Sequence, residues 1–230
     1  MTSKRRTDPA LTPAQLPAYD ALVLSHLHGD HFDRVARHDL PREPPVITTE
    51  RAAANPHFRS VPAAGLDHWS SWDTVRDDQR LRITAVPGQH GPAGVHRLLP
   101  PVIGTVLDLE ERDGDGWRRA LRVYVTGDTL NVRRLGEVTE RFPDVDVMVT
   151  HLGGTKVLGV LVTMDGRQGT DLVERVRPRS VVPIHYDDYG VFRSPLSEFV
   201  DEMGRRGHAA RLRTVGRGAT VDLFPGPTPG

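Results

Sequence analysis

Short apolar runs separated by proline and glycine breaks predict strands through the first half of the chain. Pro9, Pro13 and Pro17 favour an extended or looped start. The apolar runs that follow predict strands at residues 21–25, 46–49, 69–75 and 81–86. A short helix is expected to begin at Asp33, and one or two helical turns are expected at residues 50–54.

The second half of the chain changes to an alternation of strands and helices. Apolar runs at residues 102–109 and 120–126 flank Asp113-Gly114-Asp115-Gly116, which is a strong hairpin signal. Beyond the hairpin, the pattern predicts helices at residues 132–142, 169–177 and 195–206, and buried strands at residues 145–150 and 180–184. The helix at 195–206 has one apolar stripe, expected in the core, made of Leu196, Phe199, Val200 and Met203. This order of elements indicates an α/β (α+β) fold of sheets covered by helices.

Length and composition favour one domain, which we expect at residues 1–224, followed by a disordered Pro/Gly-rich tail at 225–230. The 30 basic and 30 acidic side chains balance, which argues against a nucleic-acid partner. The absence of cysteine excludes disulfides, thiolate metal sites and a cysteine nucleophile. No apolar run approaches the ~20 residues of a membrane span, so we expect a cytoplasmic protein with no integral membrane segment.

Three histidines and one aspartate lie within six positions directly after the first predicted strand. The run reads Ser25-His26-Leu27-His28-Gly29-Asp30-His31. Side chains alternate along an extended segment, so His26 and His28 point the same way, and Gly29 permits a sharp turn before Asp30 and His31. Imidazole and carboxylate groups are ligands of zinc, manganese and iron. Four such side chains would crowd a single ion, and the run therefore predicts ligands for two metal ions.

Three further ligand-type side chains follow predicted strands. His90 comes after the strand at 81–86, Asp128 after the second strand of the hairpin, and His185 after the last buried strand. In open sheets, functional sites collect where strand ends bring several loops together. We therefore expect these three residues to meet the first cluster at one rim of the sheets.

The order of these ligands resembles the metallo-β-lactamase superfamily. The shared pattern is His-x-His-x-Asp-His, a separate His, an Asp in the turn Gly127-Asp128-Thr129, and a His after a strand. The similarity covers residues 8–199 and is closest to the branch of ascorbate-6-phosphate lactonase and N-acyl-phosphatidylethanolamine phospholipase D. The segments that indicate this branch are Val86-Pro87-Gly88-Gln89-His90, His151-Leu152-Gly153-Gly154-Thr155, Thr163-Met164-Asp165-Gly166 and Val182-Pro183-Ile184-His185-Tyr186.

The resemblance implies a four-layer αββα sandwich with two metal ions at one edge. It implies that the first ion is held by His26, His28 and His90 and the second by Asp30, His31 and His185. It implies further that Asp128 bridges the two ions. It also implies that a hydroxide shared by the ions attacks the substrate, that Asp30 orients this hydroxide, and that the ions polarise the scissile bond. Asp30 and Asp128 are therefore the expected catalytic residues.

One departure from the family pattern concerns the N-terminus. The family normally has two or three strands before an Asp-Pro turn, and here Thr7-Asp8-Pro9 occupies the place of that turn with few residues before it. The resemblance therefore predicts that one or two hairpins are missing, either because the start codon is misassigned or because the chain is truncated. Their absence would leave a sheet edge exposed and favour association into a homo-oligomer.

Three residues are candidates for substrate contact. His151 precedes a Gly-Gly turn, while Tyr186 and Arg193 follow His185 toward the expected mouth of the site. The alternatives are a strand-end histidine satisfied by backbone at His151 and a surface salt bridge at Arg193. The apolar segment 157–163 is expected to form either a hydrophobic wall for substrate or a core strand.

Two other polar residues receive structural interpretations. Asp165 stands where a helix is expected to begin and should cap it. Ser25 lies beside a histidine, but no acid or oxyanion motif accompanies it, so we do not expect a serine nucleophile.

Together these features predict a dinuclear metal-dependent hydrolase that cleaves an ester-like bond of a small molecule with a metal-bridged hydroxide. Phosphodiesters and lactones are the expected substrate classes, with phosphodiesters slightly ahead. Zinc is the ion expected first, then manganese and then iron, because His and Asp ligands suit all three. Two alternatives stay open: an iron-dependent oxidoreductase on the same scaffold, and a non-catalytic member that serves as a scaffold.

Overall fold

The structure, a computed structural model, describes residues 5–224, and the tail predicted at 225–230 lies outside the described residues. Its strands, in chain order, are β1 (Leu22–Val23), β2 (Val46–Thr49), β3 (Ala63–Leu66), β4 (Ser71–Arg76), β5 (Gln79–Pro87), β6 (Ile103–Asp113), β7 (Gly116–Val125), β8 (Val147–His151), β9 (Lys156–Val157), β10 (Val160–Leu161) and β11 (Ser180–Ile184). Its α-helices are α1 (Arg34–Asp39), α2 (Glu50–Ala53), α3 (Gly136–Arg141), α4 (Gly166–Val176) and α5 (Leu196–Arg205).

The strands form two main sheets and one small hairpin. The larger sheet has the order β11-β8-β7-β6-β5-β4. It is parallel from β11 to β7 and antiparallel from β7 to β4. The smaller sheet has the order β1-β2-β3 and is parallel throughout, and β9 pairs with β10 alone among the described strands.

The β6–β7 hairpin is longer than its apolar pattern predicts. Gly114 and Asp115 form a two-residue turn, and Gly114 has a φ of +57°, which glycine adopts without steric cost. Beyond the apolar runs, the strands continue through charged positions, where Glu111 pairs with Arg118 at 2.6 Å across the hairpin. These side chains are largely exposed, so the hydrophobic pattern carries no signal for the additional length.

The smaller sheet shows two differences from the sequence prediction. β1 is only two residues long and, among the described residues, pairs with β2 alone in this sheet. β3 escapes the pattern because Ala63-Ala64-Gly65-Leu66 has no β-branched or aromatic side chain. Gly65 is required there by close packing, since a Cβ atom would lie 2.6 Å from the Cα atom of Glu50 in α2.

Helices α3, α4 and α5 cover the outer face of the larger sheet. The Asp165 side chain accepts a hydrogen bond from the backbone N–H of Gln168 at 2.9 Å, which confirms the predicted cap of α4. Phe199 and Met203 of α5 are fully buried as expected, but Val200 is 37% exposed. The apolar stripe of α5 is therefore narrower than predicted.

Two helix boundaries also differ from the prediction. The segment expected to be helical at 132–142 begins with a 3-10 turn, Arg133–Leu135, before α3. Helix α4 begins at Gly166, three residues before the predicted start, because the Asp165 cap precedes the apolar repeat.

Three buried clusters define four layers. Between the larger sheet and its helices lies the largest cluster, which includes Val106, Tyr124, Met148, Leu172 and Phe199. Between the two sheets lie Ile47, Leu66, Ile83, Ala85 and Ile103. On the outer side of the smaller sheet lie Leu24, Phe32, Val46 and Phe58. The order helix, sheet, sheet, helix confirms the αββα architecture that the resemblance implied.

The interpretation of residues 157–163 as a core strand is wrong. The segment contains parts of the hairpin β9–β10, whose turn includes Leu158 and Gly159, both with positive φ. Leu158 is 90% exposed, whereas Val162 after the hairpin is buried. The apolar residues of this segment therefore belong to an exposed hairpin and to one buried apolar position, Val162, after it.

None of the helices between residues 5 and 224 combines the length and the apolar composition that a membrane crossing requires.

Candidate metal centre

The ligand-type residues meet at one edge of the two sheets because each follows the end of a strand. His26 and His28 follow β1, His90 follows β5, Asp128 follows β7 and His185 follows β11. Asp30 and His31 are brought back to the same edge by the turn after His28, where the N–H of His31 donates to the carbonyl of His28 at 3.1 Å.

The seven side chains divide into two groups, each with one ligand atom per residue and all these atoms within 4.8 Å of one another. The first group consists of His26, His28 and His90, and the second of Asp30, His31, Asp128 and His185. This division matches the one implied by the resemblance, with Asp128 placed among the ligands of the second group.

The three imidazoles of the first group face one another. The Nε2 atom of His26 lies 2.8 Å from the Nδ1 atom of His28. The ring of His90 has its centroid 5.4 Å from that of His26 and 5.1 Å from that of His28. Three nitrogen ligands from one side leave further positions open, as in metal sites that perform chemistry.

Hydrogen bonds at Nδ1, which the ring N–H donates to the backbone carbonyl in two of the cases, fix the orientation of three of the histidines. Ser25 Oγ lies 3.0 Å from Nδ1 of His26, and the Val162 carbonyl lies 2.9 Å from Nδ1 of His90. The carbonyl of Leu152 lies 3.1 Å from Nδ1 of His185. In each ring, Nε2 is thereby left for the centre, which is the usual arrangement of metal-binding histidines.

The second group places two carboxylates against two imidazoles. His31 Nε2 lies 3.3 Å from Asp128 Oδ2, and His185 Nε2 lies 3.6 Å from Asp128 Oδ1. The same His185 nitrogen lies 3.5 Å from Asp30 Oδ2. These separations are longer than good hydrogen bonds and leave room for an ion to which each atom donates a lone pair.

Unpartnered buried atoms support this fit. His31 Nε2, Asp128 Oδ1 and His185 Nε2 are buried and lack a hydrogen-bond partner among residues 5–224, and Asp128 is only 2% exposed. A buried polar atom without a partner costs about 1–3 kcal/mol, and more when the group is charged. Divalent cations bound by these residues would remove that cost, so the residues present fit a two-ion site.

Burial sets the charge state of two histidines of the first group. It is the largest influence on His26, whose pKa it lowers well below the ordinary value, and it also lowers the pKa of His28. Neutral imidazole is the form that binds a metal ion. His26 and His28 are therefore in the form that binds metal at neutral pH.

Charge pairing dominates the second group. Burial opposes ionisation of Asp30 and Asp128, but the neighbouring His185 and His31 outweigh it. The pKa of Asp30 falls to about 2, and that of Asp128 falls well below its ordinary value. Burial would lower the pKa of His185, but Asp128 and Asp30 raise it to about 9. In the metal-free protein this cation partly neutralises the two carboxylates that we expect to attract metal.

The two groups are adjacent. The ring centroids of His26 and His31, one from each group, lie 4.4 Å apart. The negative charge of Asp128 acts on His26 as well as on His31 and His185. The carboxylates of the second group therefore act on the first group as well, Asp128 on His26 and both Asp30 and Asp128 on His28.

The structure brings one of the three predicted substrate residues to the centre. The ring of His151 lies 5.7 Å from that of His31 and 5.6 Å from that of His185, and its Nδ1 atom is buried without a partner in the described part of the chain. Tyr186 and Arg193 line a separate cavity beside the centre. The alternative of a surface salt bridge at Arg193 is wrong, because its guanidinium forms no ion pair within residues 5–224.

Sequence reasoning missed the groups that orient the ligands. Ser25 was considered only as a nucleophile, yet it contacts the ring nitrogen of His26. Phe192 packs its ring 4.4 Å from that of His185. The adjacency of Ser25 to His26 was a usable signal, whereas the contact of Phe192 depends on a loop conformation with no local pattern.

Removing the hydroxyl of Ser25 tests this orienting role. We expect Ser25→Ala to weaken metal affinity by about 10- to 100-fold, the usual effect of losing a partner of a ligating histidine. Competition with a chromophoric chelator measures this affinity. Ser60→Ala, which removes a hydroxyl that accepts from Arg42 at the surface, is the control and should bind metal normally. Equal affinities of the two variants would contradict the assignment.

Gly153 supports the loop that carries His185. It has a φ of +100°, and a Cβ atom there would lie 2.6 Å from the carbonyl oxygen of His185 and 3.1 Å from the ring of Phe192. Gly159 also has a positive φ, of +83°, but a Cβ atom there meets nothing within 4 Å among the described residues. Substituting each glycine by alanine therefore distinguishes the cost of backbone strain, present at both positions, from the cost of steric overlap, present only at Gly153.

We expect Gly153→Ala to lower the free energy of unfolding by about 3 kcal/mol, because left-handed strain of roughly 1–2 kcal/mol adds to overpacking of similar size. Gly159→Ala should cost only the strain. Urea denaturation of both variants measures the difference. Equal losses at the two positions would show that the contact with His185 does not constrain the loop.

Comparison with known proteins gives consistent matches. The family described as the Beta-lactamase superfamily domain matches residues 1–186. A UPF0173 metal-dependent hydrolase of Anaeromyxobacter sp. (strain K) is 40% identical over 196 residues, covering 82% of this chain and 66% of the relative. A UPF0173 metal-dependent hydrolase of Thermococcus onnurineus (strain NA1) is 24% identical over 204 residues, covering 89% of this chain and 83% of the relative.

Among solved structures, an isothiocyanate hydrolase from Delia radicum gut bacteria shares the fold. It superimposes with a TM-score of 0.71 at 21% identity, covering 89% of this chain and 78% of that one. The prediction of a metal-dependent hydrolase agrees with the names of these relatives, while the branch within the superfamily stays a prediction. Because the family matches most of the chain and the αββα layers are present, the chain belongs to the metallo-β-lactamase superfamily.

Proposed function

We propose that the protein is a dinuclear metal-dependent hydrolase that cleaves an ester-like bond, either a phosphodiester or a lactone. The observation that carries this proposal is the pair of adjacent ligand groups, each with its donor atoms within 4.8 Å. The names of the relatives support hydrolysis, and the unpartnered buried atoms support metal binding.

In this proposal the seven residues have three roles. The first ion would be held by His26, His28 and His90, the second by Asp30, His31 and His185, and Asp128 would be shared. Two divalent ions, when bound, supply a nucleophile by lowering the pKa of water, and they polarise the scissile bond. Zinc is the proposed ion, with manganese as the alternative, because the ligands are only imidazoles and carboxylates.

Asp30 is the proposed orienting residue. Its carboxylate is ionised at neutral pH because its pKa is low, and it lies beside His185, so it can accept a hydrogen bond from the attacking water and hold that water toward the substrate. The imidazoles of His31 and His185 lie beside the carboxylates of Asp30 and Asp128. Charged groups that are already in position, in a site that excludes water, need little rearrangement during the reaction. This is the main source of their contribution to the reaction rate.

His151 is proposed to contact the substrate. Its unpartnered Nδ1 atom lies near His31, and both residues border a cavity of about 230 Å³ between the sheets. Burial is the largest influence on His151 and lowers its pKa to about 3. A neutral imidazole there offers a hydrogen bond to substrate without adding a charge that would repel the metal ions.

Elemental analysis followed by two parallel assays tests the proposed function. Protein purified without added metal is expected to contain about two divalent ions per chain, and to hydrolyse either bis(p-nitrophenyl) phosphate or a simple δ-lactone. A single iron per chain with no hydrolysis of either compound would overturn the proposal and favour an oxidoreductase. Metal-free protein that neither binds added zinc or manganese nor hydrolyses these compounds would favour a scaffold.

A further inference from the structure

A large cavity lies beside the metal centre and has no role in the proposed reaction so far. Its volume is about 760 Å³, which is enough for a substantial part of a small-molecule substrate. Its wall includes Arg6 near the N-terminus, Tyr186, Tyr189, Phe192 and Arg193 in the loop after β11, and the start of α5.

The wall of this cavity carries a net positive charge. Within residues 5–224, neither Arg6 nor Arg193 has an ion pair or a side-chain hydrogen bond. The one carboxylate in the described wall belongs to Asp187, which lies 3.5 Å from Arg217, and Arg217 also lies 2.6 Å from Asp188 outside the wall. The described wall thus holds two guanidinium groups that form no ion pair and one carboxylate that shares its arginine with Asp188.

The cavity adjoins the metal centre through aromatic side chains. Phe192, which lines the cavity, packs its ring 4.4 Å from the ring of His185 and 5.7 Å from that of Tyr189. Tyr186, also in the wall, directly follows His185 in the chain. The ring of Phe192 therefore borders both the cavity and the His185 side of the metal centre.

We propose that the cavity binds an anionic group of the substrate, a carboxylate or a phosphate, that lies beyond the bond being cleaved. This inference rests on the proposed hydrolase function and narrows its substrates to molecules with a second, negatively charged end. Arginine suits this task because its planar fork of N–H donors matches the oxygens of carboxylate and phosphate groups. The hydroxyls of Tyr186 and Tyr189 provide further hydrogen-bond donors in the same wall.

A binding experiment tests the cavity without requiring turnover. Benzenesulfonate, an oxyanion that coordinates divalent metals weakly, is titrated calorimetrically into the purified protein at constant ionic strength, with neutral methyl phenyl sulfone as the matched probe. We expect only benzenesulfonate to bind. Arg193→Gln should weaken its binding about tenfold, and Arg6→Gln combined with Arg193→Gln should weaken it further.

Two other variants complete the experiment. Arg119→Gln, at an exposed position of β7 far along the hairpin, is the charge-matched control and should bind benzenesulfonate normally. Ser197→Glu places a carboxylate in the wall at the first turn of α5, where acidic residues are tolerated, and should reduce binding as much as Arg193→Gln does. Absence of binding to the wild-type protein, or unchanged binding in all three cavity variants, would overturn the proposal.

A kinetic experiment connects the cavity to the reaction. Mono-p-nitrophenyl glutarate and p-nitrophenyl pentanoate have similar length, but only the first carries a terminal carboxylate. Arg193→Gln is expected to raise KM about tenfold for the glutarate ester and to leave KM for the pentanoate ester unchanged. An equal effect on both esters would overturn the proposal. If neither ester were hydrolysed, the calorimetric result would decide on the cavity, and the phosphodiester and lactone assays would decide separately on the proposed function.

Discussion

Replacing Asp128 by asparagine is expected to lower hydrolysis by about a thousandfold and to reduce the metal content of the protein. The substitution keeps the size of the side chain but removes the negative charge that faces His31 and His185. A residue shared by two ions affects both, and their charge stabilisation of the transition state amounts to several kcal/mol, at about 1.4 kcal/mol for each tenfold in rate. Turnover of the better of the two test substrates and elemental analysis measure the two effects.

Asp108→Asn is the matched control for this prediction. Asp108 is also buried in the hairpin region, where Arg122 donates two hydrogen bonds to it, at 2.6 and 2.9 Å. Removing its charge should lower stability, because it leaves a buried guanidinium unpaired, but it should leave two ions bound. Full metal content and full turnover in Asp128→Asn would contradict the assignment of Asp128 as a shared ligand, whatever the stability of that variant.

The candidate ligands could be predicted from the sequence because their positions follow local rules, whereas their division into two groups followed only from the family resemblance. His26 and His28 share a face through the two-residue period of an extended chain, and His90, Asp128 and His185 each follow a strand. Ligand type and strand end are both visible in the sequence. The structure then brings these positions together because strand ends in layered sheets converge at an edge.

The groups that orient the ligands could not be predicted in the same way. The Val162 and Leu152 carbonyls that contact His90 and His185 are backbone atoms, and every residue carries such an atom. Their selection depends on how the loop after β10 and the turn after β8 pack against the ligands. No local pattern of side chains records that packing.

The full set of strands and the cavity could not be predicted from the sequence either, because both depend on contacts between distant parts of the chain. β3 has small residues that match no strand pattern, and it forms because β2 and α2 offer it a partner and a surface. The cavity is built from Arg6, Arg193 and the segment after α5, which are far apart in the chain. Tyr186 and Arg193 are candidates for substrate contact from the sequence alone, but only the structure shows that they share a wall with Arg6.

Removal of metal with a chelator is expected to lower the melting temperature of the protein by about 10 °C. Ions that bind only the folded state stabilise it by about 4 kcal/mol when present at a thousand times their dissociation constant. For a chain of this size, each kcal/mol corresponds to roughly 2–4 °C. The physical origin is the set of buried donor atoms, including those of His31 and Asp128, that have no other partner within residues 5–224. Differential scanning calorimetry with and without chelator measures the shift.

The same two variants make this prediction specific to the site. Asp108→Asn should start from a lower melting temperature and show the full shift on chelation, since its ligands are intact. Asp128→Asn should show a smaller shift, because fewer ions are bound before the chelator is added. If chelation moved all three melting temperatures equally, or none of them, the ions would not be bound by the residues of the two groups. A shift confined to proteins with Asp128 would instead tie the stability of the αββα fold to the same carboxylate that we expect to support the reaction.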